Sequence, residues 1–134
     1  MAEVNTPTGC SEPKKCRVLI VDDNRDFAES LRDILQFRDF DVTIANDGRR
    51  AVSLAEQESF DIVLLDLVMP GMDGVDVLER IHGRRPETRF VIMTAYSNSE
   101  LADRARQAPV AAVFRKPLPI DDVARLLDRF RETS

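Results

Sequence analysis

Short apolar runs alternate with helical patterns five times between Arg17 and the C-terminus, and this alternation constrains the fold more than any other feature. The runs are rich in β-branched residues, and the apolar residues of each following segment recur at helical spacing. Successive strand–helix–strand units favour a parallel sheet, because right-handed crossovers place helices on its faces. The chain is therefore predicted to be a doubly wound α/β domain with a five-stranded parallel sheet and five helices. The predicted strands cover residues 17–21, 41–45, 61–65, 89–93 and 110–114.

The predicted helices begin with residues that are typical of helix starts. Asp47 and Asp73 suit the N-caps of the second and third helices, residues 97–100 resemble a capping box for the fourth, and Pro119 suits the first turn of the fifth. The first helix spans residues 26–37. Its apolar stripe is expected to bury Phe27, Leu31, Ile34 and Leu35.

Length and charge exclude several classes of protein. The 134 residues suit one domain, and 24 acidic against 19 basic residues give a net charge of −5. This balance argues against direct nucleic-acid binding, which favours a basic face. No apolar run approaches the ~20 residues of a membrane span, and no secretory signal is visible. We therefore expect a cytoplasmic protein with no membrane partner.

Residues 1–16 are polar and contain Pro7, Gly9 and Pro13, which predicts a flexible leader before a domain at 17–134. A redox pair of Cys10 and Cys16 is the alternative. The spacing is not Cys-x-x-Cys, so the leader is favoured. Two cysteines and one histidine are too few for a four-ligand zinc site.

Polar residues end four of the five predicted strands. Asp22 and Asp23 follow the first strand, Asp66 the third and Thr94 the fourth, while the fifth runs into Lys116. The carboxyl ends of parallel strands lie at one edge of the sheet, where open α/β sheets bind ligands. Residues far apart in the chain are therefore expected to meet there.

Three carboxylates at one edge repel one another unless a proton or a cation intervenes. A carboxylate-rich oxygen site suits Mg²⁺, which commonly completes its shell with phosphate. Lys116 and Thr94 would hold phosphate oxygens, and Asp66 would be a carboxylate nucleophile that forms an aspartyl phosphate. The site is thus predicted to hold a phosphoryl group.

Each of these residues also has a plain structural interpretation. Asp22 and Asp23 would cap the first helix, Lys116 would be a surface lysine, and Thr94 would simply end a strand. Asp66 is harder to explain in this way, because a carboxylate at the end of an apolar strand is costly to desolvate without a partner. The coincidence of all five at one edge favours the functional interpretation.

Four sequence motifs contain these residues: VLIVDDN at 18–24, LLDLVMPGMDG at 64–74, MTAYS at 93–97 and FRKP at 114–117. With these motifs, the sequence resembles the receiver domain of two-component response regulators, of the chemotaxis-regulator type. The resemblance covers residues 17–131 and is specific in the order and spacing of its motifs.

The resemblance implies a role for each residue of the edge. Asp66 matches the phosphoacceptor, Asp23 would bind Mg²⁺ directly, and Asp22 would act through a metal-bound water. The backbone carbonyl of Val68 would be a further metal ligand. Thr94 would turn toward the new phosphoryl group.

Further implications concern Lys116, the fold and the partners. Lys116 would pair with the phosphoryl group and precede a cis peptide bond to Pro117, while Gly71 and Gly74 would serve the turn after the third strand. The fold would be flavodoxin-like, with strand order 2-1-3-4-5. A histidine kinase or histidine phosphotransfer protein would donate the phosphoryl group, and an unidentified output domain or target protein would respond. A homodimer through the fourth and fifth predicted helices stays open.

The chain also departs from the family pattern. Val113 stands where relatives usually carry an inward-swinging Tyr or Phe, and the neighbouring Phe114 would face the other side of the sheet. Tyr96 is expected near the pocket entrance. Pro109 and Ala112 replace glycines that many relatives have. The aromatic part of the usual switch is therefore left open.

Three other functions compete with phosphoacceptance. An aspartate-dependent phosphatase would need an acid at the position of Val68, which cannot transfer a proton. A flavin-binding protein would need a phosphate loop in place of Asp22 and Asp23. A receiver-like module that is never phosphorylated is the third.

His82 is expected to be a solvent-facing residue favoured by the helix dipole and not a phosphorylation site.

Overall fold

The computed structural model describes residues 15–69, 72–95, 103 and 110–133. The strands are β1 (Arg17–Val21), β2 (Asp41–Ala45), β3 (Ile62–Asp66), β4 (Val68–Met69), β5 (Met72–Asp73), β6 (Arg89–Thr94) and β7 (Ala112–Arg115). The helices are α1 (Arg25–Phe37), α2 (Gly48–Gln57), α3 (Gly74–Arg84) and a C-terminal helix (Ile120–Thr133).

Five strands form one parallel sheet, in the order β2-β1-β3-β6-β7. This confirms the predicted flavodoxin-like architecture. The predicted numbering 2-1-3-4-5 is not exact, because the short antiparallel pair β4–β5 lies between β3 and α3 in the chain. The predicted fourth helix lies outside the described residues, apart from Asp103, so four of the five predicted helices are described.

Several boundaries differ from the predicted ones by one or two residues. Asp66 and Thr94 belong to their strands and do not follow them, because the ladder continues through the pairs with Met93 and Arg115. The last strand begins at Ala112, two residues later than predicted. Cys16 was assigned to the leader, yet it is buried and its carbonyl accepts a hydrogen bond from the Asp41 N–H at 3.0 Å.

The core has two layers, one on each face of the sheet. Leu19 and Val21 of β1 face the layer covered by α2 and α3, while Val18 and Ile20 face the layer covered by α1 and the C-terminal helix. Burial on both faces explains why the strands are apolar without alternation. On α1 the buried stripe is Ala28, Leu31 and Leu35, so the prediction that Ile34 is buried is wrong: its side chain is 37% exposed.

None of the described helices has the length and apolar content that crossing a bilayer requires.

Candidate functional site

The C-terminal edge of the sheet brings together three carboxylates from two neighbouring strands. Asp22 and Asp23 directly follow β1, and Asp66 is the last residue of β3. One carboxylate oxygen from each lies within 4.8 Å of the others. Asp22 is fully buried and Asp66 is 6% exposed, while Asp23 faces solvent. Residues 43 positions apart in the chain thus form one acidic cluster, as predicted.

Lys116, just after β7, joins this cluster from the other side. Its Nζ donates to Asp22 Oδ2 at 2.7 Å and to Asp66 Oδ2 at 3.2 Å. Its backbone N–H donates to the carbonyl of Thr94 at 2.8 Å. The Lys116–Pro117 peptide bond is cis, as the resemblance implied. The surface-lysine interpretation is therefore wrong, because both contacts tie the ammonium to buried acids.

Local hydrogen bonds orient the acids and settle the question of helix capping. Asn24 is the N-cap of α1, and its side chain accepts from the Phe27 N–H at 3.1 Å. The Asn24 N–H in turn donates to Asp22 Oδ1 at 2.9 Å. Asp22 and Asp23 are therefore not the caps that the alternative interpretation proposed, since Asn24 fills that position. Across the site, the Val68 N–H donates to Asp66 Oδ1 at 3.1 Å.

The turn behind Asp66 is closed by a glycine. The Gly74 N–H donates to the carbonyl of Leu67 at 3.1 Å, and a Cβ built on Gly74 would lie 2.5 Å from Leu67 Cα. No side chain fits at that separation, so the close approach requires glycine here. Gly71 lies outside the described residues.

The pKa values of Asp66 and Lys116 are both raised, for different reasons. Burial raises the pKa of Asp66, and the Asp22 charge adds to this rise, against the Val68 N–H and Lys116, which lower it. Burial lowers the pKa of Lys116, but the hydrogen bond that it donates to Asp22 and the charges of Asp66 and Asp22 outweigh this effect and leave the pKa raised. Lys116 is therefore charged at neutral pH, while ionised Asp66 is poorly stabilised by its surroundings.

The donor set fits a divalent cation. Within the described part of the chain, three carboxylates face one ammonium at this cluster, which leaves two negative charges uncompensated. Carboxylate oxygens are ligands that hard cations such as Mg²⁺ prefer. Burial makes the uncompensated charge costly, and a divalent ion would neutralise it.

Thr94 ends β6 and is fully buried next to this edge. Val113 packs partly buried against the α2–α3 layer, and Phe114 packs against the opposite layer, as predicted from their alternation. The residue at the usual aromatic position is thus a small core side chain. Tyr96 and Pro109 lie outside the described residues.

Two parts of the site were missed from the sequence. One is the capping role of Asn24, which its place before the first apolar residue of α1 would have indicated. The other is Phe27, whose ring centroid lies 4.5 Å from Lys116 Nζ. Phe27 was assigned to the core stripe only, and no spacing rule links it to a lysine 89 positions later.

His82 differs from its prediction. Its ring lies edge-on to Phe90, with centroids 6.3 Å apart, and its Nδ1 is buried with no hydrogen-bond partner among the described residues. The residue is thus partly packed and does not simply face solvent.

Comparisons with known proteins agree with this architecture. The family model of the response regulator receiver domain matches residues 18–128. A response regulator receiver protein of Anaeromyxobacter sp. (strain Fw109-5) is 38% identical over 112 residues, which cover 84% of this chain and 46% of that protein. The chain thus spans less than half the length of that relative.

Two solved structures share the fold. A CheY-like receiver domain protein from Methanospirillum hungatei superposes with a TM-score of 0.83 at 29% identity, covering 89% of this chain and 96% of that one. A response regulator from Burkholderia pseudomallei, solved with a phosphorylated aspartic acid, a calcium ion and citrate, has a TM-score of 0.76 at 25% identity, covering 82% of this chain and 64% of that one. This chain belongs to the response regulator receiver domain family of two-component signalling systems.

Proposed function

We propose that Asp66 accepts a phosphoryl group from a phosphohistidine on a histidine kinase or a histidine phosphotransfer protein. The observation that carries this proposal is the position of the Asp66 carboxylate, which lies 3.2 Å from Lys116 Nζ and within 4.8 Å of the other two acids. The phosphorylated aspartic acid in the similar Burkholderia protein supports the same chemistry. The chain is a signalling domain whose chemistry is its own phosphorylation and dephosphorylation.

In the transfer step, an oxygen of Asp66 forms a bond to phosphorus while the P–N bond of the donor breaks. The imidazole leaves with the electron pair of that bond and takes up a proton. Negative charge on the transferring oxygens is stabilised by the Lys116 ammonium, which is already held at the site by Asp22. The Val68 N–H orients the other oxygen of Asp66.

Mg²⁺ would be held by the carboxylates of Asp23 and Asp66, by Asp22 through a bound water, and by the backbone carbonyl of Val68. When bound, the cation supplies positive charge that offsets the repulsion between the carboxylates and the incoming phosphoryl group. Burial of Asp22 and Asp66 beside a single ammonium is what supports this requirement.

After transfer, Thr94 would turn its hydroxyl toward the new phosphoryl group, and the surface that binds the output domain or target protein would change. Because Val113 is a small core residue, this switch would work without the usual aromatic partner. The receiver domain would comprise residues 17–134, after the leader, and would act in the cytoplasm.

The phosphatase alternative is less well supported. Val68 stands two residues after Asp66 with an apolar side chain, so no carboxyl group at that position can protonate a leaving group. A module that is never phosphorylated would have no need to bury the carboxylates of Asp22 and Asp66 beside the Lys116 ammonium.

Labelling with a small-molecule phosphodonor tests the proposal. In the presence of Mg²⁺ and acetyl phosphate, the unaltered protein is expected to gain a base-labile acyl phosphate, which Asp66→Asn abolishes while circular dichroism shows an intact fold. Asp76→Asn is the matched control, because Asp76 is an exposed acid on α3 away from the cluster. Labelling of Asp66→Asn at the normal yield would refute the assignment.

A further inference from the structure

The ring of Phe27 lies against the Lys116 ammonium, which also donates hydrogen bonds to two acids. An ammonium has three N–H donors, and Asp22 and Asp66 accept two of them. The ring centroid of Phe27 is 4.5 Å from Nζ, within the range of a cation–π contact. The aromatic face thus covers part of the Lys116 side chain, which is 21% exposed.

Contacts of both the side chain and the backbone hold Phe27 in this position. Its side chain is half-buried and packs against the core layer beneath α1. Its backbone N–H donates to the Asn24 side chain at 3.1 Å, and the Asn24 N–H donates to Asp22 Oδ1 at 2.9 Å. Asp22 Oδ2 in turn accepts from Lys116 at 2.7 Å. Phe27, Asn24, Asp22 and Lys116 therefore form a closed ring of contacts.

The two kinds of contact to Lys116 differ in how they respond to phosphoryl transfer. A hydrogen bond to Asp66 must be given up when Nζ turns to a phosphoryl oxygen, because the donor changes its acceptor. A cation–π contact depends only weakly on direction, so the ammonium can rotate over the ring and keep that contact. The ring also shields part of the ammonium from water, which strengthens the interaction of the ammonium with developing negative charge.

We propose that Phe27 is a positioning residue for phosphoryl transfer, which holds the Lys116 ammonium at the site while it changes partners. This role rests on the proposed function of Asp66 and adds a residue to it. Loss of the aromatic face should slow phosphorylation without weakening the binding of the phosphodonor, because Phe27 acts through Lys116 and does not need to touch the donor.

The kinetic test compares Phe27→Leu with the unaltered protein, using acetyl phosphate and Mg²⁺. The maximal phosphorylation rate is expected to fall about 3- to 20-fold, while the half-saturating concentration of acetyl phosphate is unchanged. Phe27→Tyr keeps the aromatic face and should restore most of the rate. Phe37→Leu is the matched control, since it makes the same change on the same helix at a side chain that is 91% exposed.

A spectroscopic test does not depend on phosphorylation of the protein. The chain has three lysines, Lys14, Lys15 and Lys116, so their ε-methylene NMR signals are readily assigned. Ring current should shift the Lys116 signal upfield in the unaltered protein and in Phe27→Tyr, and this shift should vanish in Phe27→Leu.

The two measurements separate the ways in which the idea can fail. An unshifted Lys116 signal in the unaltered protein would overturn the contact itself. Phe27→Leu labelled at the full rate, or a rate that Phe27→Tyr does not restore, would overturn the positioning role while leaving Asp66 as phosphoacceptor. If the unaltered protein is not labelled at all, the proposed function fails, and the role of Phe27 fails with it, whatever the NMR shift.

Discussion

Cys16 lies at the opposite edge of the sheet from the acidic cluster, and its thiol is strongly held in the protonated form. Burial raises the pKa of the Cys16 thiol to about 11, the Asp61 charge adds to the rise, and Arg131 and Arg89 oppose it. A protonated, buried thiol is a poor nucleophile at neutral pH. Cys16 is therefore a small core residue, although the sequence pattern predicts that it lies in a flexible leader.

The raised pKa predicts a loss of stability in alkaline solution. The unfolded thiol releases its proton near its ordinary value of 9.0, while the folded one keeps it until about 11. Between these values the unfolded state binds fewer protons, so the free energy of unfolding falls as pH rises, by up to about 3 kcal/mol. Chemical denaturation from pH 8 to 11 under reducing conditions, compared with Cys16→Ala, measures this. An equal decline in both proteins would contradict the prediction.

Single residues also show where sequence reasoning stops. The positions of Asp22, Asp66 and Lys116 at one edge follow from the alternation of strands and helices. Which carboxylate is buried and which faces solvent depends on packing from α1, and the sequence does not show that. Phe27 was missed as part of the site for the same reason, because its contact with Lys116 crosses between elements. Asn24 was missed although its contacts with Phe27 and Asp22 are local.

Among the elements, the start of α3 fixes the backbone after Asp66, because Gly74 approaches the backbone of Leu67 closely. Substitution by Ala would place Cβ 2.5 to 2.9 Å from backbone atoms of Leu67 and Asp66, which cannot move aside as a flexible side chain would. Gly74→Ala should therefore destabilise the domain by about 1–3 kcal/mol and slow labelling of Asp66.

Gly83 supplies the control for that substitution. A Cβ there meets nothing within 4 Å, and the residue lies in α3. Gly83→Ala should leave labelling unchanged and stabilise the domain by about 0.5–1 kcal/mol, because Ala favours the helix. Equal stability of the two variants in equilibrium denaturation would show that the close approach at Gly74 is not strained by a methyl group.

The pair β4–β5 was not predicted, and the reason is physical. Two-residue strands are too short for a periodic pattern, and the motif MPGMDG is typical of a turn. The five longer strands were predicted because each contains a short apolar run with β-branched residues, although β2 also contains Asp41 and Thr43. Their ends were less certain, since the polar residues Asp66 and Thr94 continue the hydrogen-bonded ladder beyond the apolar part.

At the scale of the whole molecule, burial of the apolar core favours folding, whereas the gathering of carboxylates at one edge of the sheet disfavours it. The parallel sheet forces the ends of β1 and β3 together whatever residues stand there, and here it gathers carboxylates. Because burial raises the pKa of Asp66, its ionised form disfavours folding once the pH exceeds the unfolded value. The fold therefore bears a cost at this edge that a divalent cation would relieve.

This cost predicts that Mg²⁺ stabilises the folded domain. At ten times its dissociation constant the ion should add about 1.4 kcal/mol to the free energy of unfolding, measured by chemical denaturation at constant ionic strength. Asp23→Asn should remove most of this gain, because Asp23 is a proposed ligand of the ion. Asp23 is also the exposed member of the cluster, so its substitution leaves the core intact. Asp76→Asn, an equal change of charge on α3 outside the cluster, should keep the full gain. If Asp23→Asn gained as much as Asp76→Asn, the stabilisation would come from general screening of an acidic protein and not from the three carboxylates at the sheet edge.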